Sequence, residues 1–393
     1  VVLPRMGHFL GRFAPGERAS LLAAAPAERS ALLAANVYPT EALVSDADWV
    51  AIRAYYLDRS PQALPLTPVP DTTLSRSFRA RFPNAFLSPP SGSYIGIPKE
   101  GGVLLGDINK EVLLAYNQNL EPVNQLKTGS GVTAIDGRMA TIIGSFSPTD
   151  AANGQLVELG AGRTIIDSLQ RPTSVVRLQL DADPELELII TEYGKWTGRL
   201  GRWDRTPAGT YEPTTLANRP GAITALVNPR ATETEVFVLF GQGQEEVVRY
   251  RFSKGKVAAE AVLSFPPSYG SSSLKLVDWN GDDYPDLLYT AGDNADYVSW
   301  PKPYHGIRVF TGTAEGAFKE AMFLPLPGAY GAVAEDFDQD GDLDLAAISF
   351  FPDYRAARPA TAVLYVDDGD GQFSVTRLPG ATAGRFLRLT AGD

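Results

Sequence analysis

One pattern recurs along most of the chain and limits what it can fold into: an apolar alternating segment, a polar turn, and a second apolar segment. It appears at "GVTAIDGRMATIIGSF", "SVVRLQLDADPELELIITEYG", "AITALVNPRATETEVFVLFG", "SSLKLVDWNGDDYPDLLYTAG" and "GAVAEDFDQDGDLDLAAISFF". "GGVLLGDINKEVLLAYNQ" is an earlier, weaker copy, and the chain ends in "RFLRLTAGD". The turns open at Asp136, Gln179, Asn228, Asp278, Asp336 and Asp393, so one unit spans about 43–58 residues. Four short strands fill a unit of that length, which is the size of a propeller blade. The sequence therefore predicts a mainly β chain, a β-propeller of about seven blades. Its last blade is incomplete, because the final unit has only its first strand; the expectation is a chain truncated at both ends.

The period before this region is helical. Residues 1–60 include "PGERASLLAAAPAERSALLAA" and "SDADWVAIRAYYLDRS", the latter with Ser45 or Asp46 as N-cap and Trp49, Ile52, Tyr55 and Tyr56 at helical spacing. Residues 61–73 carry four prolines in thirteen positions and suit a semi-rigid spacer. The predicted organisation is a small α-helical module over 1–60, a linker over 61–73, and the propeller over 74–393.

Composition excludes several classes. A formal charge of −11 without a Lys/Arg run argues against nucleic acid as a partner. No apolar run approaches the roughly 18 residues of a membrane span. The absence of cysteine rules out disulfides, thiolate metal sites and Cys nucleophiles, and it fits an oxidising compartment. With 44% hydrophobic residues, a large core is within reach.

The turn "DFDQDGDLD" carries five aspartates on alternate positions, Asp336, Asp338, Asp340, Asp342 and Asp344. Like charges about 4 Å apart repel by roughly 4 kcal/mol near a protein surface, so the turn needs a counter-charge. A hard divalent cation supplies it. Side chains at positions 1, 3 and 5 converge, a carbonyl joins at 7, and a later carboxylate closes the shell. Asp336, Asp338 and Asp340 fit, with Asp342 at the carbonyl position, Asp344 closing, and Gly341 at the bend. An EF-hand would need Glu at position 12, where Ala347 stands, and helical flanks, where the sequence reads as strand. The same frame in "DWNGDDYPD" gives Asp278, Asn280, Asp282, the carbonyl of Tyr284, and Asp286, with Asp283 in place of the glycine. A weaker third copy is Gln179/Asp181/Asp183/Glu187, and Asn228–Val236 has lost its acidic ligands. The expected cofactor is structural Ca2+.

The motif D-x-[DN]-x-D-G-x-x-D-[LI], as "DFDQDGDLDL" and "DWNGDDYPDL", resembles the VCBS/FG-GAP repeats of integrin-α-like β-propellers in bacterial secreted and surface proteins. The resemblance covers residue 75 to the end and implies an extracytoplasmic chain: periplasmic, cell-surface or secreted. "RPTSVV", "GDNADY" and "KPYHGIRVF" are similar to a subgroup attached to a c-type cytochrome module. "VVLPRMGHFLG" and "YPTEALVSDADWVAIRAYYLDRSP" resemble the latter part of that module. That likeness implies Met6 as a haem axial ligand, with His8 as runner-up, and haem c only if an upstream segment carries the C-x-x-C-H motif that this sequence lacks.

If the acidic turns join first and second strands, the loops joining second and third strands share the opposite face. They carry Tyr193, Trp196, Gln242, Asp293, Asp296, Tyr297, Trp300, Lys302, Tyr304, His305 and Tyr354. Aromatic groups with carboxylates on long loops suit a protein, peptide or glycan partner. Packing of the loops on one another, with His305 donating to a nearby carbonyl, explains the same residues. No nucleophile elbow, zinc helix or phosphate loop is present. The expectation is a non-enzymatic, calcium-binding interaction or adhesion scaffold. The alternatives are the propeller part of an electron-transfer cytochrome and a carbohydrate-active enzyme using Asp296 with Glu192.

Overall fold

The apolar–turn–apolar units become antiparallel strand pairs in the computed structural model, which describes residues 2–26, 28–60, 66, 69, 73–83, 89–181, 185–293, 300–367, 369 and 371–392. Among these residues the strands form six four-stranded sheets, each built from strands consecutive in sequence. The sheets cover residues 92–127, 132–169, 172–217, 222–265, 271–325 and 329–377, hereafter blades one to six. The chain is mainly β, a six-bladed β-propeller with few helices.

The expected count of about seven is corrected by these six sheets. "GGVLLGDINKEVLLAYNQ" belongs to a complete blade one. "RFLRLTAGD" opens no further blade among the described residues: 385–392 lie outside any strand, and Leu389 and Ala391 pack on blade six.

Burial peaks at the second strand of a blade, above the partly buried innermost strand, and falls towards the outermost one. The second strands of blades three, five and six, Glu187–Glu192, Asp286–Ala291 and Asp344–Ser349, are buried along their whole length. The outermost strand of blade four, Lys256–Phe265, is largely exposed. A strand covered on both faces by neighbouring blades must be apolar on both, which is why these segments read as runs rather than alternations. The core is a set of layers between blades. Leu178, Leu200, Val238 and Tyr250 fill the one between blades three and four, and Leu288, Val309, Leu345 and Tyr365 the one between five and six. Each such side chain contributes about 1.5–3 kcal/mol.

Every innermost strand has an extra residue at the same place, a β-bulge at Ser93, Thr133, Thr173, Ile223, Ser272 or Tyr330. All six line the axial channel. Three of them tie one blade to the next: Thr133 Oγ1 donates to the Pro172 carbonyl at 2.8 Å, Thr173 Oγ1 to Ala222 at 2.8 Å, and Ser272 Oγ to Ala329 at 2.9 Å.

The ring is shut by chain outside the blades. Thr73 and Ser75 bond the outermost strand of blade six at Arg377, in parallel register at Leu74. Leu389 and Ala391 pack on Val333, Ala346 and Leu364 of blade six, Phe386 N–H donates to Ser349, and Arg388 Nε donates to the Ser93 carbonyl of blade one at 2.9 Å.

Four helices precede the propeller: α1 (Val2–Phe9), α2 (Glu17–Ala23), α3 (Arg29–Ala34) and α4 (Asp46–Arg59). Ser45 caps α4 by accepting from Asp48 N–H. The apolar spacing of α4 does not make a buried face, and Val50, Tyr55, Tyr56 and Leu57 are exposed. α1 rests on the propeller, with Phe9 edge-on to Trp196 at 4.9 Å. Thr149 Oγ1 also donates to Glu28 at 2.5 Å. Most of residues 61–73 lie outside the described set.

Candidate functional site

The acidic turns join the first and second strands of their blades, as the spacing requires. In 336–344, oxygens of Asp336, Asp338 and Asp340 lie within 4.8 Å of one another. Asp340 and Gly341 N–H groups donate to Asp336, and Asp342 N–H to Asp340. Confinement in the turn, then the charge of Asp340, pushes the Asp338 carboxyl above its usual value. Three converging carboxylates with no basic side chain ion-paired to them among the described residues fit a divalent cation. Asp344 has a second duty: its Oδ2 accepts Phe337 N–H and its Oδ1 accepts Asp367 N–H, each at 2.9 Å.

The other turns carry a guanidinium instead. In 278–286, Arg230 from blade four donates to Asp278 at 2.7 Å and lies 3.5 Å from Asp283. Its hydrogen bond and charge hold the Asp278 carboxyl below the usual range. Asn280 donates to Asp282 at 2.8 Å, Tyr284 N–H donates to Asp282, and Asp286 accepts Trp279 and Gly312 N–H at 2.7 Å each. In the third turn Asp181, Glu187 and Asp204 cluster, but Arg202 bonds both Asp181 and Asp204. Asp183 lies outside the described residues. Arg177 answers Asp136 in the same way. A built-in cation therefore accompanies each acidic turn except the last.

On the opposite face lie two neighbouring cavities. The axial one, about 420 Å³, is lined by Arg171, Lys195, Tyr330 and Arg388 together with the bulge residues. The outer one, about 360 Å³, lies under the helical module against Arg5, Phe9, Val37, Trp196, Glu245 and Lys302. Tyr193, Gln242 and Asp293 line both. The loop that carries Tyr193 and Trp196 is held by buried Asp150, which accepts the N–H groups of Lys195, Trp196 and Thr197 and the Thr197 hydroxyl. Gln242 Nε2 donates to the Lys195 carbonyl at 2.5 Å.

Five of the eleven residues predicted for this face thus border the cavities: Tyr193, Trp196, Gln242, Asp293 and Lys302. Trp300 and Tyr354 stand exposed, Trp300 beneath Arg355 and Tyr354 donating to the Gly384 carbonyl. Tyr304 stacks on Tyr269 at 5.0 Å. Asp296 and Tyr297 lie outside the described residues. His305 is buried with neither ring nitrogen hydrogen-bonded among the described residues, and burial pushes its pKa down to about 3. Sequence reasoning missed Arg171, Lys195, Glu245 and Arg388. A basic residue just before an inner strand was the only signal for Arg171, and Arg388, in a segment outside any strand, gave none.

Two groups of the outer cavity are shifted towards neutrality. Burial raises the Glu245 carboxyl above its usual value, and burial lowers the Lys302 amine. Glu245 accepts Gly270 N–H, Ser271 N–H and the Ser271 hydroxyl, which fixes its orientation.

Met6, the residue expected as a haem axial ligand, lies half-buried on α1. The chain has no cysteine, and His8 Nε2 is engaged by Glu17 at 3.0 Å.

No family model matches the chain, and no curated protein matches it. Solved structures similar in fold include a catalytically inactive variant of virginiamycin B lyase from Staphylococcus aureus with quinupristin, at 13% identity and TM-score 0.47, covering 75% of this chain and 87% of that one. A 6-phosphogluconolactonase candidate from Bacteroides fragilis has 12% identity and TM-score 0.46, covering 73% and 84%. A gluconolactonase from Xanthomonas campestris has 12% identity and TM-score 0.40, covering 66% and 84%. Propellers named as enzymes stand among the similar structures, so the expectation of a non-enzymatic chain is corrected and catalysis is not excluded by the architecture. What the fold itself establishes is that the chain is a β-propeller.

Proposed function

We propose that this chain is an extracytoplasmic, calcium-stabilised β-propeller that holds a small polar ligand, a sugar or a short peptide, in the funnel opposite its acidic turns. One observation carries the reading: two neighbouring cavities share Tyr193, Gln242 and Asp293 in their linings, and buried Asp150 holds the loop that carries Tyr193 in place. Aromatic faces beside an amide and a carboxylate match a sugar ring, which is apolar on its faces and hydroxylated at its edge. Pre-organisation lowers the entropy lost on binding. The calcium part rests on the three converging carboxylates of 336–344; filled at roughly 10⁻⁴–10⁻³ M, such a site suits an extracellular medium.

Calorimetry with a panel of neutral and acidic sugars and short peptides tests the funnel. A ligand bound by the wild type should lose at least tenfold in affinity in Trp196→Ala, and binding unchanged in both Trp196→Ala and Asp293→Asn would sink the reading. The opposed shifts of Glu245 and Lys302 favour a second reading, in which the funnel turns its ligand over by proton transfer. Turnover of the bound ligand, lost in Lys302→Met with binding retained, distinguishes it.

A further inference from the structure

We propose that the axial channel is a carboxylate site: a small organic acid, an acidic sugar in the first instance, enters from the funnel and lays its carboxylate against Arg388 and Ser93. The sugar part rests on the funnel reading above; the anion part does not.

Arg388 projects into channel solvent while the walls of the ring enclose it. Its Nε is committed to the Ser93 carbonyl at 2.9 Å. Among the described residues it forms no ion pair with a carboxylate; the tyrosine Tyr330 and the like-charged Lys275 are the titratable groups near it. Lys195 lines the same cavity, 5.4 Å from the Trp196 ring centroid, also without an ion pair. Asp293, the acidic residue in the lining, faces Lys302. An enclosed cation without a counter-charge is unfavourable, and an arginine fork matches a carboxylate edge with two parallel hydrogen bonds.

The hydroxyls around the channel make the second observation. Thr133, Thr173 and Ser272 each donate to the next blade. Ser93 does not: it is 2% exposed, it lines the cavity, and its Oγ has no partner. A buried hydroxyl left unpaired costs about 1–3 kcal/mol. The unused donor thus belongs to the residue that Arg388 already grips through its carbonyl, and once a change of its χ1 turns that hydroxyl from the blade wall into the channel, one carboxylate takes a bond from each.

Isothermal calorimetry of the full chain with sodium glucuronate and with glucose tests this. Glucuronate should bind at least tenfold more tightly than glucose, by a margin that shrinks with added salt. Arg388→Gln should erase the margin and Ser93→Ala should reduce it, with unfolding midpoints confirming that both variants are folded. Glucuronate binding that needs Arg388 while glucose fails to bind upholds the carboxylate site and sinks the neutral-sugar reading. Equal binding of the two sugars by the wild type, or a margin that survives Arg388→Gln, overturns the proposal and leaves the funnel reading standing. Binding of neither overturns both.

Discussion

His305 shows how one side chain can set the acid limit of a fold. Burial without a hydrogen-bond partner holds it neutral, with a pKa pushed down to about 3 against 6.5 for the free group. The unfolded chain takes up a proton near pH 6.5 and the folded chain does not. Stability from this group is therefore complete above pH 6.5 and is lost as pH falls towards 3. Linkage puts the loss at about 1.4 kcal/mol per pH unit once the unfolded imidazole is protonated. Urea unfolding followed between pH 5 and 6.5, above the range of ordinary carboxylates, should show this slope, and His305→Leu should flatten it. An identical slope in the variant would mean the proton is taken up elsewhere. The sequence exposed His305 as the lone histidine of the propeller, but its neighbours Lys302 and Arg308 act on it through the folded loop, and no local pattern announced its burial.

The turns show what an element's sequence reveals and what it withholds. The two acidic turns, 278–286 and 336–344, were legible as joins between first and second strands, and the grouping of Asp336, Asp338 and Asp340 was legible because positions 1, 3 and 5 of a tight turn share one side whatever the rest of the chain does. Arg230 was not legible as a counter-ion, because it reaches Asp278 from the preceding blade. The anchoring of Asp344 by Phe337 and Asp367 was likewise hidden, since one of those donors belongs to the third strand. The two turns should therefore respond differently to calcium. At ten times its dissociation constant, calcium bound only by the folded state adds about 1.4 kcal/mol, on the order of 2 °C in a chain of this size. Differential scanning calorimetry should show that rise in the wild type and lose it in Asp338→Ala. Arg230→Ala should lower the midpoint without calcium and enlarge the calcium response, because Asp278 then lacks its partner. A wild-type midpoint indifferent to calcium would refute the cation reading of 336–344.

At the scale of the whole molecule, the blades were legible from periodicity and their number was not. Alternation marks where a strand pair begins, but only pairing partners decide whether a last segment such as "RFLRLTAGD" becomes a sheet. The resting of α1 on the funnel was equally hidden, since Phe9 and Trp196 meet across nearly half of the chain. Blades three and four share a continuous apolar layer, whereas Arg388 and its flanking segment stand between blades six and one. Amide hydrogen exchange should therefore be fastest, among inner-strand amides, in Gly92–Gly96 and slowest in Ala222–Val227; equal protection of the two would contradict this. The interposed tail makes the molecule a split washer rather than a welded one: strain from heat, force or a crowding ligand has a preset place to escape, and the remaining circumference can stay intact while that gap breathes.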